Sequence, residues 1–203
     1  MSLKPNALVN LSLAKEYLDI PSIDNSVNAK VERLINVATS QIESYCDRSF
    51  ITKTFIEFYD GRRSNQILLK NWPCESISEI RVDNSSLFPI TSILDPNTYN
   101  VVNKTIIQFN YYKAPLGYRN IKVTYDAGYG VIGTIPSDLE EACLSLVMLH
   151  YMKRNDRRVG IESKNKNNES IKYTQGLPKD IQEMIDQYRR LDFGEGDVGI
   201  QNG

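Results

Sequence analysis

The 203-residue sequence predicts an α+β fold: a helical bundle of about four helices, a small antiparallel β unit inserted between the second and third, and a flexible C-terminal tail. Three observations carry that prediction. Apolar residues recur at helical spacing before Phe50 and again after Gly133. Between Phe50 and Tyr129 the period changes to two, with β-branched and aromatic runs divided by turn residues. From Asp192 to Gly203 the chain holds four glycines and three acids, too polar a mixture to pack alone. The expected organisation is a helical pair over 1–49, the β unit over 50–133, a second helical pair over 134–191 with a basic loop at 153–175, and the tail over 192–203.

The first helix is read from Asn10 to Leu18, with Leu11, Ala14, Tyr17 and Leu18 on one face, Asn10 as N-cap and Pro21 as the stop. A long amphipathic helix follows from Asp24 to Cys46, its stripe formed by Val27, Val31, Leu34, Ile35, Ala38, Ile42 and Tyr45. Strands are read at Phe55–Tyr59, Ile67–Leu69, Ile77–Val82, Tyr99–Val102, Thr105–Phe109 and Asn120–Tyr125. Asp60-Gly61, Trp72-Pro73 and Asp83-Asn84 serve as the turns. Pro136 and the Ser137/Glu140 capping box open a third helix that continues to about Asn155. The segment Lys153–Tyr173 carries seven cations against three acids, a net of +4, and Lys164–Asn168 lacks any apolar anchor, so a mobile loop is expected. A last helix is read from Pro178 to Leu191, with Ile181, Met184, Ile185 and Tyr188 facing inward.

Composition limits the function. With 24 basic and 25 acidic residues the chain has a net charge of −1, which argues against gripping nucleic acid by charge alone. The longest apolar stretch, Cys143–Met152, is about half of the ~20 residues that a membrane span requires. The N-terminus lacks a signal-peptide pattern. Three scattered cysteines (Cys46, Cys74, Cys143) form no C-x-x-C pair, so a reducing cytoplasm is the expected place of synthesis.

Few residues point to chemistry. His150 is the single histidine, which excludes a multi-histidine metal site, and its place on an apolar helix face reads as structural. The cysteines read as buried, inert thiols. The sequence leaves open a Cys46–His150 nucleophile pair, for which there is no local signature. Gly128–Gly133 lacks the Lys-Ser/Thr ending of a phosphate loop and the glycine spacing of a dinucleotide fingerprint. Glu140-Glu141 and Asp138 suit the first turn of a helix. No enzyme, cofactor or metal is expected.

The motifs taken in order resemble a known family. They begin with Leu11-x-x-Ala14-Lys15-x-Tyr17-Leu18 and Ile42-Glu43-x-Tyr45-Cys46-x-Arg48-x-Phe50. Tyr59-Asp60-Gly61, Leu68-x-x-x-Trp72-Pro73 and Val123-Thr124-Tyr125-Asp126-Ala127-Gly128-Tyr129 follow, then Ile135-Pro136-x-Asp138-Leu139-x-x-Ala142 and Tyr188-Arg189-Arg190. From Asn10 to Arg190 this series resembles the head–tail connector proteins of tailed bacteriophages, also called adaptor or head-completion proteins. Each motif is mostly packing and turn residues; their order is what is specific.

The resemblance implies a virion protein without enzymatic activity, made in the host bacterial cytoplasm and placed in the head–tail neck. Its partners would be copies of itself in a dodecameric ring, the portal protein above, and a downstream neck or tail-completion protein. Packaged double-stranded DNA would pass through the channel without sequence-specific binding, and no membrane would be involved. In such proteins the C-terminal helix and tail meet the portal, which here implicates Tyr188, Arg189, Arg190, Phe193, Val198 and Ile200. The basic segment offers Lys153, Arg154, Arg157, Arg158, Lys164 and Lys166 to DNA or to a neighbouring subunit. A competing reading is a nucleic-acid-binding module that uses the basic 153–172 loop.

Overall fold

The computed structural model describes residues 2–110, 112–155, 163–166, 169–172 and 177–190. Helix α1 spans Leu11–Tyr17, and the Asn10 side chain accepts a capping bond from the Leu13 N–H at 2.7 Å. Helix α2 spans Asn28–Cys46 and so starts later than Asp24. Asp24 Oδ1 instead accepts from the Ser26 backbone N–H at 2.9 Å and hydroxyl at 2.6 Å, a local turn that competes with helix. The ammonium of buried Lys15 fixes this loop further by donating to the Ser22 and Asp24 carbonyls at 2.8 and 2.7 Å. Helix α3 spans Ser137–Asn155, and α4 spans Lys179–Ile185 followed by one 3-10 turn, Asp186–Tyr188. The apolar stripes meet in one core: Val31, Ile35, Ala38 and Ile42 of α2, Leu139, Ala142, Leu146 and Val147 of α3, and Ile181 and Ile185 of α4.

Strands β1 (Lys53–Gly61), β6 (Gly117–Ala127) and β3 (Cys74–Val82) form one antiparallel sheet in the order β1-β6-β3. Strands β2 (Gln66–Leu68), β5 (Ile106–Phe109) and β4 (Tyr99–Val102) form a second, in the order β2-β5-β4. Their facing residues make a separate core in which Ile80, Ile121, Val123 and Tyr125 pack with Ile67, Leu69, Ile107 and Phe109.

This corrects the expected helical bundle with a small β insertion. Among the described residues the fold is sheet-rich: two three-stranded antiparallel sheets occupy the middle of the chain, and four helices lie toward its two ends. The β region closes its own hydrophobic core, so it is not an appendage on the bundle. Its longest strands exceed the runs read from sequence, at nine, nine and eleven residues. Asp60-Gly61 shows why. Both residues lie within β1, and Gly61 is glycine because an added Cβ would fall 1.7 Å from the Pro115 carbonyl oxygen. A close approach produced the signal that reads as a turn.

Two further elements differ. The expected loop after α3 contains strands β7 (Ser163–Lys166) and β8 (Glu169–Lys172), paired antiparallel with Lys166 opposite Glu169. A hairpin ladder uses backbone N–H and C=O groups, so a lack of apolar anchors does not prevent it. The last helix leaves helical geometry after Tyr188 rather than Leu191, because the Arg190 N–H donates to the Cys46 carbonyl at 2.9 Å.

At the end of the larger sheet remote from the helices, Asn120 is 1% exposed. Its Oδ1 accepts from the Gly61 N–H at 2.7 Å, and its Nδ2 donates to Asn84 Oδ1 at 2.8 Å and to the Pro115 carbonyl at 3.0 Å. Asn120→Ala strands these buried groups and is expected to cost roughly 2–4 kcal/mol. Urea unfolding checks this; an unchanged midpoint would show that the tip is not held this way.

Candidate functional site

The two layers meet where the chain crosses between them. Helix α2 ends at Asp47 in the left-handed conformation (φ 49°), which turns the chain so that Arg48 points into the junction. Arg48 is 6% exposed, and its guanidinium carbon lies 3.8 Å from the Trp72 ring centroid, 5.1 Å from Phe50 and 5.8 Å from Tyr129. Its Nη2 donates to the Trp72 carbonyl, while Nε and Nη1 have no hydrogen-bond partner among the described residues. Burial pushes the guanidinium down to about 10, which leaves it charged at neutral pH. Ring faces therefore stabilise this cation, each contributing about 0.5–2 kcal/mol.

Each wall of the cage is positioned by the sheets or the crossing strands. Glu57 on the inner face of β1 accepts from the hydroxyls of Tyr59 and Tyr125, the latter at 2.7 Å, and from Asn71 Nδ2 at 2.9 Å. Those hydroxyls in turn accept the Lys70 and Asn71 backbone N–H groups, both at 3.1 Å, which places Trp72 over Arg48. Burial raises both tyrosines well above their ordinary range, so they remain donors to Glu57. Across the junction, Tyr129 N–H donates to the Phe50 carbonyl at 2.8 Å and Gly128 N–H to the Pro73 carbonyl at 2.9 Å. Gly128 has φ +139°, and a Cβ there would lie 2.5 Å from the Thr52 backbone, so the two linkers lie side by side only with glycine at this position.

The C-terminal segment closes the junction. Tyr188 completes an aromatic triad with Phe50 and Tyr129, its ring centroid 6.3 Å from each in edge-on geometry. Its hydroxyl and Gln187 Nε2 donate to Asp138 Oδ2 at 3.3 and 2.9 Å, and burial followed by Asp138 pushes its phenol up to about 12. Tyr45 donates to Asp186 at 2.6 Å, and the Arg189 guanidinium lies 5.1 Å from the Tyr45 ring centroid. Arg190 pairs with Asp47 at 3.1 Å; with Asp47 71% exposed, this screened pair contributes ~0–1 kcal/mol. Tyr188, Arg189 and Arg190 thus root the tail on the ends of α2 and α3, with Arg189 exposed.

The remaining expected site residues are dispersed. Phe193, Val198, Ile200, Arg157 and Arg158 lie outside the described residues. Lys153 and Arg154 occupy the last turn of α3, and Lys164 and Lys166 lie in β7. His150 is half-buried with Nε2 2.8 Å from Gln41 Oε1; burial, then Lys153, lowers its pKa. Cys46 is hydrogen-bonded to the Ile185 carbonyl and Cys143 to Thr39, so each thiol has a structural neighbour. Among the described residues no group of three or more His, Cys, Asp or Glu could hold a metal ion.

A family model described as head completion protein matches residues 7–191. The chain belongs to the head completion protein family. No curated protein matches its sequence. Among solved structures, this head completion protein is similar to a chain from the neck of an empty gene transfer agent particle computed with C6 symmetry. The TM-score is 0.61 at 15% identity, over 97% of this chain and 96% of that one. A chain from the neck of the native particle computed with C12 symmetry gives 0.57 at 16% identity, over 97% and 99%. A chain from the virion of the native particle gives 0.61 at 15% identity, over 97% and 96%. At such identities the likeness shows a shared fold.

Sequence reasoning missed Arg48 as the centre, although the motif series contains Arg48, Phe50, Trp72, Tyr129 and Tyr188, which the fold brings to one point. An Arg placed between the motif positions Tyr45, Cys46 and Phe50 was the available signal.

Two measurements check the junction. Arg48→Lys places a compact ammonium where a planar cation stacks, and is expected to lose roughly 1–3 kcal/mol while changing the emission of Trp72, the single tryptophan. An unaltered melt and spectrum would remove Arg48 from this role. Burial pushes Cys46 and Cys74 up to about 11 and Cys143 up to about 12. Their folded values are raised, so this contribution to stability is full below the unfolded thiol pKa and is lost as pH rises through about 11. At pH near 8 the folded thiols should react with iodoacetamide about 100-fold more slowly than unfolded ones, and fast labelling of any one would contradict the inert assignment.

Proposed function

We propose that this head completion protein is a structural adaptor of a tailed-phage neck, made in the host bacterial cytoplasm and incorporated into the virion. Copies close a ring beneath the portal, extend the DNA channel and offer a docking surface to a downstream neck or tail-completion protein. The observation that carries this reading is the family match over residues 7–191, joined to a fold similar nearly end to end to neck chains. Those necks were computed with C6 and C12 symmetry, which supports a ring of repeated copies. In the larger sheet, β1 has β6 on one side and, among the described residues, no strand on the other. Such an edge suits coverage by the next copy in a head-to-tail ring.

The tail is the portal-binding element in this reading. Segment 186–190 is its anchored root, with Tyr188 and Arg190 held against the junction and Arg189 exposed, while Phe193, Val198 and Ile200 supply the apolar contact. The cations of the 153–172 segment, Lys153, Arg154, Arg157, Arg158, Lys164 and Lys166, face a neighbouring copy or channel DNA. No catalysis is assigned; the protein acts by assembly.

Native mass measurement of this chain mixed with the portal protein of the same phage tests the proposal. A complex carrying a full ring of copies is expected, and deletion of residues 192–203 should leave a folded chain that no longer joins it. Two separate species at high concentration would overturn direct portal docking, and undiminished binding by the truncated chain would remove the tail from it.

A further inference from the structure

The end of the larger sheet farthest from the helices carries a concentration of positive charge. Strand β1 starts beside the junction at Lys53 and reaches Gly61 eight steps later. At ~3.3 Å per residue this tip stands roughly 26 Å from the helical layer. Arg62 and Arg63 follow β1, Lys113 precedes β6, and Arg119 lies at its start; all four are exposed.

They are held on a rigid frame. Buried Asn120 ties Gly61 to Pro115 through the bonds described above, Arg63 N–H donates to the Ala114 carbonyl at 3.0 Å, and Ala114 N–H donates to the Ser64 carbonyl at 3.0 Å. None of the four cations is in an ion pair among the described residues. Two acids are near, and both use carboxylate oxygens locally. Asp60 Oδ1 accepts the Arg119 backbone N–H at 2.7 Å. Asp83 accepts from Ser85, Leu87 and Phe88, which hold its carboxyl down at about 2. Arg119 stacks its guanidinium 4.9 Å from the Phe58 ring centroid, and Tyr118, 79% exposed, places a phenol among the cations.

We propose that this β tip, formed by Arg62, Arg63, Lys113, Arg119 and Tyr118, is a contact site for the phosphate backbone of double-stranded DNA. A chain of net charge −1 that gathers four unpaired cations on one preorganised projection matches a polyanion. The frame fixes the backbone from which the cations project, so their side chains, but not the chain that carries them, must be ordered on binding. The tyrosine hydroxyl adds a neutral donor of a kind that serves phosphate oxygens. The tip offers no base-reading helix or ribbon beyond these side chains, so the contact is indifferent to sequence. Four phosphate contacts per copy are weak, which permits DNA to move past the tip. The site differs from the 153–172 segment, and it deepens the neck reading, which brings DNA within reach.

Fluorescence anisotropy with the full chain and a short random-sequence duplex tests the site. Wild-type affinity is expected to fall as salt rises from about 50 to 200 mM, with a slope of log K on log salt near −3.6 for four phosphates. Arg62→Ala/Arg63→Ala/Lys113→Ala, which leaves Arg119 on Phe58, should weaken binding at least tenfold at about 50 mM salt and flatten the slope by about 2.7. Arg62→Lys/Arg63→Lys should retain affinity, and circular dichroism verifies that both variants fold. Lys179→Ala, an exposed cation of α4 outside the tip, should bind as wild type does. No wild-type binding at the lowest salt overturns the proposal, as does a triple variant with wild-type affinity. A triple variant that keeps DNA affinity but loses assembly with other copies would make the tip a protein contact instead, and would overturn it too. The mass of the portal complex is read separately, so failure of the tip and failure of the neck reading are distinguishable.

Discussion

Arg48 is charged, 6% exposed and, among the described residues, in no ion pair with a carboxylate, so the surrounding rings determine whether the fold can hold it. Trp72 comes from the sheet region, Phe50 from the segment leaving α2, and Tyr129 from the segment entering α3. A cation shared among three rings is satisfied only when all three segments are in place. That constraint couples the helical core to the sheet core, two clusters that otherwise bury their apolar residues separately. The sheet contributes through Glu57 and its two tyrosines, which hold the backbone before Trp72; the helices contribute through the left-handed turn at Asp47.

The same junction decides where the tail begins. Tyr188 packs edge-on against Phe50 and Tyr129, and the Arg190 backbone returns to Cys46, so the last described residues are fixed to the body of the protein. The β tip lies at the other end of the larger sheet, so the molecule separates its tail root from its basic projection by the length of a strand.

Local reading recovered much of the secondary structure. Asn10 caps α1 as its position implies, the α2 stripe from Val31 to Ile42 is the buried face, and six strands lie where the period changes to two. The misreadings share one cause. Asp60-Gly61 resembles a turn because glycine and aspartate are turn residues, yet Gly61 answers to a carbonyl of Pro115, which lies far along the chain. The 163–172 hairpin has no apolar signature because its pairing is between backbones. Helix α4 stops at Ile185, and its 3-10 turn at Tyr188, because α2 supplies a competing hydrogen-bond acceptor.

By itself the sequence determined the order of the four helices and of strands β1 to β6, the apolar faces of the helices, the near-neutral charge and, through the ordered motif series, the family. These are properties of spacing and composition, which are local along the chain. Only the tertiary structure decided that the strands close a core of their own, that Arg48, Phe50, Trp72, Tyr129 and Tyr188 meet at one point, and that Tyr188 to Arg190 anchor the tail. It also decided that Arg62, Arg63, Lys113 and Arg119 share one tip. Each of these depends on antiparallel register and on contacts between residues distant in sequence, and periodicity carries no information about which distant residue a side chain will meet.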